Sequence, residues 1–239
     1  MLRLSLMLLT VMVGTQAAGA DEGALGWPSS ANSAKRSGPG KLAARVSSRH
    51  ARRPGKPLGW AVPEKELLAE PPAPPSGKLH IYSLSYKTEA DVNIYNEDGS
   101  FNVQALADIN HIFKCRRSGL EHDIDPRLVT ILSHVYDHFG HRRLELLSGY
   151  RFQRRTTSNH FHGAAADIRV PGIDPRTVRA YVETLDAGGM GVGYYPKVGF
   201  VHVDVRQPPS YRWIDYSRSN PDAADRKLPR GFKRKDPES

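Results

Sequence analysis

The chain has 239 residues, a net charge of +9 and one cysteine. This length allows one domain of ordinary size plus additional segments, and the single cysteine, Cys115, excludes an internal disulfide. The basic excess lies in residues 21–78 and 217–239, whereas acidic and basic residues balance between 79 and 216. A fold in that balanced segment must be held by a hydrophobic core or a metal.

The first twenty residues have the pattern of an export signal. Arg3 is followed by an apolar run from Leu4 to Val13, and Ala18-Gly19-Ala20 fits a cleavage site of small residues. The run is too short to span a bilayer comfortably; a buried N-terminal helix is the alternative. The sequence thus predicts an exported protein without a transmembrane segment, located in the periplasm or secreted. Nucleic acid would suit the charge but not the export.

Residues 21–77 have the composition of a disordered, basic, proline-rich linker. Small, basic and proline residues dominate, and the proline-rich stretch at 71–75 favours an extended backbone. Residues 217–239 form a second basic segment, a C-terminal tail. Both flanks are either simply solvated or loosely attracted to an anionic polymer such as the wall or the outer surface.

Residues 78–216, between these flanks, have the apolar patterning of a folded domain. Apolar alternation and short apolar runs predict strands at 79–84, 90–95, 144–147, 165–170, 192–195 and 200–205. Apolar residues at helical spacing predict helices at 103–118, 125–140 and 174–185, the last two beginning with Asp-Pro pairs. Because helices come early and strands cluster late, the pattern predicts an α+β fold, with helices flanking a small antiparallel sheet.

Polar residues that can hold a metal occur at two places in this domain. His160 lies in a loop that leads into the strand containing Asp167. In the strand at 200–205, alternation places His202 and Asp204 on one face and valines on the other. Two imidazoles and one carboxylate suit Zn²⁺ on a face of the sheet, with an open position for water, and such a site is equipped for amide hydrolysis. The alternative is a set of unrelated polar residues.

The two pieces resemble a known family. The pattern S-x-H-x-x-G-x-A-x-D at 158–167 and the later F-V-H-V-D at 200–204 are similar to the bacterial zinc D-Ala-D-Ala carboxypeptidase and murein endopeptidase superfamily, most of all to its murein endopeptidase K type. Further similar motifs occur in order at 124–128, 148–151 and 188–196. The resemblance implies that His160, Asp167 and His202 hold one Zn²⁺ per chain. It also implies that Arg151 grips the substrate or the developing oxyanion.

Two features depart from the family pattern. The segment between Arg151 and His160 is shorter than in many relatives, which predicts a more open substrate groove. Many members place an acidic general base three residues before the last ligand histidine, but that position is Gly199 here. The role of general base, which accepts a proton during the reaction, is therefore assigned to Asp204, in the same strand as the histidine, or to His162.

Three functions are compatible with these residues. The preferred one, implied by the resemblance, is a zinc-dependent murein endopeptidase that hydrolyses peptide cross-links of peptidoglycan. A D,D-carboxypeptidase that removes terminal D-alanine would need a group to capture a free carboxylate, and no second arginine is evident for that. A non-catalytic wall-binding module that keeps the metal for stability is favoured by the glycine at position 199.

Other polar and aromatic residues have simpler explanations. His134 and His138 are one helical turn apart, but a valine stands where the H-E-x-x-H motif has its glutamate. They are therefore predicted to be surface or packing histidines. Tyr194, Tyr195 and Trp213 would either line a groove for glycan or peptide or pack in the core with a polar tip.

Overall fold

The structure is a computed structural model of the chain, which describes residues 56–218 and 231–232. The predicted export signal, the greater part of the predicted linker and most of the predicted tail lie outside the described residues. Within the described ranges, no helix combines the length and the apolar character needed to cross a membrane.

The described residues form eight strands and three α-helices. The strands are β1 (Leu58–Ala61), β2 (Lys78–Ser83), β3 (Thr88–Asn93), β4 (Leu144–Ser148), β5 (Ala165–Arg169), β6 (Met190–Tyr195), β7 (Phe200–Val205) and β8 (Tyr211–Ile214). The helices are α1 (Val103–Ile112), α2 (Pro126–His138) and α3 (Pro175–Glu183), and short 3₁₀ helices occupy Glu64–Glu66 and Asn159–His162. All three predicted helices and all six predicted strands are present, although α1 ends earlier than predicted.

Polar residues begin all three α-helices. The side chains of Asn102, Asp125 and Asp174 each accept a hydrogen bond from a backbone N–H in the first turn. These bonds satisfy donors that have no partner within the helix. A proline in the first turn of α2 and of α3 supplies a φ already suited to a helix. The two Asp-Pro starts therefore act as the sequence predicts.

The strands form one mixed sheet in the order β1-β8-β6-β7-β5-β4-β2-β3. Most neighbours are antiparallel, but β2 and β4 are parallel, and so are β6 and β8. The prediction of a helix-and-sheet domain is confirmed, whereas the prediction of a small antiparallel sheet is wrong in size and in strand direction. Between β2 and β4 the chain passes through β3, α1 and α2, a connection long enough to return a strand in parallel.

Two strands at one edge of the sheet are absent from the sequence prediction. β8 contains Arg212, a buried cation paired with Asp186, which hides the usual apolar pattern of a strand. β1 is short, contains Gly59 and lies within the segment predicted as a linker. It nevertheless pairs with β8 along its whole length. The sheet therefore begins before residue 78.

One face of the sheet is covered by helices, and the other carries the polar residues. On β7, Val201, Val203 and Val205 belong to the hydrophobic core, together with residues of α2 and α3. His202 and Asp204 alternate with these valines and so lie on the opposite face. Because a slip of one residue would bury the polar set, the core also fixes the register of the polar face.

Candidate metal centre

Residues of neighbouring strands meet along one row of the sheet. Asp167 of β5 is paired with His202 of β7, and His202 is paired with Gly193 of β6. Directly opposite residues have Cβ atoms about 4.5–5.5 Å apart, so this pairing brings a carboxylate and an imidazole together. His160 reaches the same place from the 3₁₀ helix that precedes β5.

His160, Asp167 and His202 form a compact group of donor atoms. One possible ligand atom from each lies within 4.8 Å of the others, and all three residues are buried. Nδ1 of His202 is 2.8 Å from Oδ1 of Asp167 and 3.2 Å from Nε2 of His160. Two imidazole nitrogens and a carboxylate oxygen around one point are a donor set that fits Zn²⁺ and leaves room for a further ligand.

Hydrogen bonds outside the group fix the orientation of His160. Its Nδ1 lies 2.7 Å from the carbonyl oxygen of Gly149. Because a carbonyl only accepts, Nδ1 carries the proton, and Nε2 keeps its lone pair toward the other two residues. The backbone N–H of Arg151 donates to the carbonyl of His160 at 3.0 Å and ties the loop to the end of β4. A ring whose second nitrogen is held by the backbone is typical of a metal-ligating histidine.

Asp204 supports His202 from the side away from the group. Its Oδ2 accepts from Nε2 of His202 at 2.9 Å, which leaves Nδ1 of that ring facing Asp167. Its Oδ1 accepts from Nδ2 of Asn159 at 2.8 Å and from Nε of Arg206 at 2.7 Å. The residue is only 1% exposed. This carboxylate is therefore saturated with hydrogen bonds and acts on the orientation of the imidazole.

The neighbours of the three residues set their charges. Burial, followed by the cation of Arg151, lowers the pKa of His160 to about 4. Burial also opposes a charge on His202, but hydrogen bonds to Asp167 and Asp204 outweigh it and raise its pKa to about 9. Burial alone would raise the pKa of Asp167, yet His160 and Arg151 hold it well below its usual range. At neutral pH a metal bound here would therefore displace one proton, that of His202.

Arg151 follows β4 and bonds to the carboxylate of the group. Its Nη2 donates to Oδ2 of Asp167, and its Nε donates to Oγ of Ser148 at 2.7 Å. The side chain is 12% exposed, so its cation is held largely away from bulk water. A fixed positive charge at this place would stabilise a carbonyl oxygen that gains negative charge.

A groove of about 730 Å³ lies over these residues. Two glycines of β6 leave room for residues that line it: a Cβ on Gly193 would lie 2.3 Å from the ring of Trp213, and one on Gly191 would lie 2.3 Å from Oδ2 of Asp204. The absence of side chains at these positions lets the larger neighbours lie across the strand. Further residues from the loop after β4 and from the β8 region complete the walls, namely Gln153, Arg155, Thr157, Tyr211 and Asp215.

Aromatic residues form one side of the groove. Trp213 and Tyr195 line it, and Nε1–H of Trp213 donates to the hydroxyl of Tyr195 at 3.1 Å. Tyr194 is not among the lining residues, and its hydroxyl accepts from Nε of Arg176 at 3.1 Å instead. Of the three aromatic residues singled out in the sequence, two therefore lie at the site.

The remaining candidates lie away from the group. His162 is exposed and does not line the groove. Gly199, where many relatives have an acid, has a φ of 76° and no atoms close to the place of a Cβ. His138 stacks on the ring of Tyr181 with 3.6 Å between centroids. The structure thus brings together the two motif histidines, Asp167, Arg151 and Asp204, but not His162 or the histidines of α2.

Two supporting residues, Asn159 and Arg206, are not predicted from the sequence. Asn159 occupies an unspecified position of the S-x-H motif, so the motif itself gives no reason to select it. Arg206 could have been found, because it follows Asp204 by two residues in an extended chain and therefore emerges on the same face. Both bind the carboxylate that orients His202.

The fold and this geometry define a class of protein. A helix-and-sheet domain that directs two histidines and an aspartate into a groove is a candidate metal-dependent hydrolase. The sequence model of the M15-type peptidase family described as "Peptidoglycan L,D-endopeptidase MepK" matches residues 72–211. The chain belongs to this peptidase family, which confirms the resemblance to the murein endopeptidase K type. The matched range contains all five of the residues that the sequence predicts for the site.

Curated relatives carry the same description. Peptidoglycan L,D-endopeptidase MepK of Escherichia coli K12 is 34% identical over 130 residues, which cover 48% of this chain and 69% of that protein. A probable peptidoglycan L,D-endopeptidase MepK of Haemophilus influenzae is 30% identical over 118 residues, which cover 44% of this chain and 62% of that protein. No solved structure matches the chain significantly.

Proposed function

We propose that the protein is a zinc-dependent endopeptidase that hydrolyses peptide cross-links of peptidoglycan. The observation that carries this proposal is that His160, Asp167 and His202 converge beneath a groove in a chain of the MepK family. Family membership supports peptidoglycan as the substrate. The volume of the groove lies within the range of about 300–1,000 Å³ that is usual for sites that bind small molecules, and a short peptide segment would fit it.

The donor set supports Zn²⁺ as the metal, with one ion per chain. Two histidines and one carboxylate are the ligands of many catalytic zinc sites, which keep a position open. When bound, zinc polarises a carbonyl and lowers the pKa of water towards neutrality, which is the chemistry that peptide hydrolysis needs. Nε2 of His160, Nδ1 of His202 and the carboxylate of Asp167 would hold the ion.

The surrounding residues are assigned to two tasks, binding the substrate and orienting a metal ligand. We assign Arg151 to the carbonyl oxygen of the substrate, because its cation is fixed beside Asp167 and would stabilise negative charge as it develops. We assign Asp204 to positioning, since it holds the ring of His202 with Nδ1 toward the other ligands. Burial alone would raise the pKa of the Asp204 carboxyl, but the hydrogen bonds from His202 and Arg206 hold it below its usual range, which argues against the alternative role of general base.

We also propose which kind of peptide bond the protein hydrolyses. The descriptions of the relatives specify an L,D-endopeptidase, which supports a peptide bond between an L-configured and a D-configured centre.

A D,D-carboxypeptidase would need a free cation for a terminal carboxylate. Arg206 lines the groove but is committed to Asp204. Arg155 also lines it, in an exposed position where Nε donates to Thr157 at 3.2 Å.

We further propose that the protein acts outside the cytoplasm, in the periplasm or after secretion. The predicted export signal at residues 1–20 and the location of peptidoglycan support this. The attraction of the basic flanks to anionic polymers stays a prediction, because most of those residues lie outside the described ranges.

The experiment that tests the proposal is a digest of intact peptidoglycan by zinc-loaded protein, with the fragments identified by mass. An endopeptidase converts cross-linked dimers to monomers and adds one water for each bond cut. A carboxypeptidase would leave the dimers joined and would shorten their free stems by D-alanine. Unchanged dimers would contradict the proposed function.

A further inference from the structure

One hydroxyl group at the groove has no role in the chemistry described so far. Tyr195, the last residue of β6, lines the groove together with the three proposed ligands. Its oxygen accepts a hydrogen bond from Nε1–H of Trp213 at 3.1 Å. Across residues 56–218 and 231–232, no acceptor is recorded for the proton of this hydroxyl. The hydroxyl can therefore still donate a hydrogen bond, and a bound substrate would supply an acceptor.

Packing fixes the position of the hydroxyl. The ring of Tyr195 stacks on Phe200, with 4.2 Å between centroids and 13° between planes. The ring of Trp213 lies across Gly193, where no Cβ could fit, and its centroid is 4.9 Å from that of His202. The hydroxyl is therefore held next to a side chain that borders the proposed metal ligands.

The hydroxyl remains a neutral donor. Burial is the main cause that raises the pKa of Tyr195 to about 12, and the negative charges of Asp167 and Asp215 act in the same direction. The hydrogen bond from Trp213, which is the second largest influence on this pKa, and the cation of Arg151 act in the opposite direction without cancelling the effect of burial. The phenol therefore keeps its proton at any pH at which the protein would work.

We propose that Tyr195 donates a hydrogen bond to the carbonyl oxygen of the scissile peptide bond and that Trp213 orients its hydroxyl. This inference rests on the proposed function. Arg151 approaches the ligands from the β4 side, through Ser148 and Asp167, whereas Tyr195 approaches from β6. A cation and a neutral donor on two sides of the reacting carbonyl would together stabilise the negative charge of the transition state.

Tyr195→Phe tests this directly, because it removes the hydroxyl and retains the ring that stacks on Phe200. We expect kcat for cross-linked muropeptides to fall by about 10²–10³-fold, the usual cost of losing one such donor. Zinc content and the midpoint of thermal unfolding should stay at the wild-type values. The matched control is Tyr194→Phe, which removes the neighbouring hydroxyl that faces Arg176 and should leave kcat unchanged.

Two further measurements separate a donor from a structural residue. A phosphinate analogue of the cross-link carries a negative oxygen where the carbonyl gains charge, so Tyr195→Phe should weaken its binding by about the same factor as kcat/KM. Trp213→Phe removes the N–H that orients the hydroxyl. In the double variant, Trp213→Phe should cause no further loss of kcat beyond that of Tyr195→Phe, because the indole N–H affects kcat only through the hydroxyl of Tyr195.

The wild-type protein is measured first, so that the two proposals can fail separately. If zinc-loaded wild type leaves the cross-links intact, the proposed function fails and takes this inference with it. If wild type hydrolyses them and Tyr195→Phe has the same kcat, only the role of Tyr195 is overturned. A loss of kcat accompanied by loss of zinc or of thermal stability would also overturn it, because the residue would then be structural.

Discussion

At the scale of single residues, the proposed metal site depends on two histidines. His160 and His202 each direct one ring nitrogen into the shared site. We expect His160→Ala and His202→Ala to lose zinc and to lower the midpoint of thermal unfolding in zinc-containing buffer, because metal binding contributes to the free energy of folding. His111→Ala is the matched control, since this exposed histidine pairs only with groups at the surface. Full zinc occupancy in the double variant His160→Ala/His202→Ala would contradict the assignment.

The charge of His202 predicts how zinc binding depends on pH. Without bound metal, Asp167 and Asp204 raise its pKa to about 9 against the effect of burial, whereas the pKa of His160 is lowered to about 4. At neutral pH only His202 must lose a proton, so zinc binding should release about one proton per chain. Zinc affinity should rise with pH up to about 9 and then level off. Calorimetric titrations in buffers of different ionisation enthalpy measure this release, and its absence at neutral pH would refute the prediction.

The same shift predicts how the stability of the metal-free protein depends on pH. The pKa of His202 is raised in the folded state from an ordinary value of 6.5. Its protonated form therefore stabilises the fold fully below about pH 6.5, and this contribution is lost as the pH rises towards 9. Between these pH values, the free energy of unfolding of the metal-free wild type should therefore fall relative to that of His202→Ala. Denaturant titrations on both proteins measure this difference. Parallel curves for the two proteins would argue against a raised pKa.

Asp204 is the residue for which the sequence predicts proton transfer and the geometry favours the orientation of a ligand histidine. Its carboxylate holds Nε2 of His202 and is itself held by Asn159 and Arg206. We expect Asp204→Asn to lower zinc affinity by about 10–100-fold, the usual cost of losing a group that orients a ligand. A general base would instead cost about 10²–10⁴-fold in kcat with zinc still bound. Zinc titration and kinetics on this variant separate the two, with Asp98→Asn in an exposed turn as the control.

At the scale of elements, strand β6 depends on the absence of a side chain at Gly193. Gly193 lies between His202 on β7 and Trp213 on β8, and a Cβ there would lie 2.3 Å from the indole ring. Gly193→Ala should therefore displace the indole and cost about 1–3 kcal/mol in the free energy of unfolding, measured by denaturant titration. Trp213→Ala removes the obstacle, so Gly193→Ala/Trp213→Ala should cost less than the sum of the single changes. Additive losses would show that the ring is not the obstacle.

The elements also show what a sequence can and cannot predict. The valines of β7 alternate with polar residues, so the face that carries His202 and Asp204 follows from period alone. β8 could not be predicted in that way, because its central Arg212 is buried through a partner, Asp186, that is distant in the chain. The positioning of Asp204 depends on Asn159, the first residue of the 3₁₀ helix before β5, whose contact exists only once β5 and β7 are paired.

At the scale of the whole molecule, the folded domain begins earlier than the sequence predicts. β1 pairs with β8, and the N–H of Leu68 donates to the carbonyl of Asp186 at 2.8 Å. A chain that starts at residue 78 would lose these bonds and expose an edge of β8 beside the groove. We expect it to have a lower midpoint of thermal unfolding and a lower kcat than a chain that starts at residue 56. Equal stability and kcat for the two chains would restore the boundary predicted at residue 78.

Hydrolysis of peptidoglycan cross-links should require a metal held by His160, Asp167 and His202. The most direct test is to strip the protein with a chelator, titrate zinc back and follow hydrolysis of a purified cross-linked muropeptide dimer by mass. We predict that chelation abolishes hydrolysis and that activity returns in proportion to added zinc, with a plateau at about one ion per chain. His202→Ala should not recover. Undiminished hydrolysis after chelation, or a wild-type rate in His202→Ala, would contradict the claim.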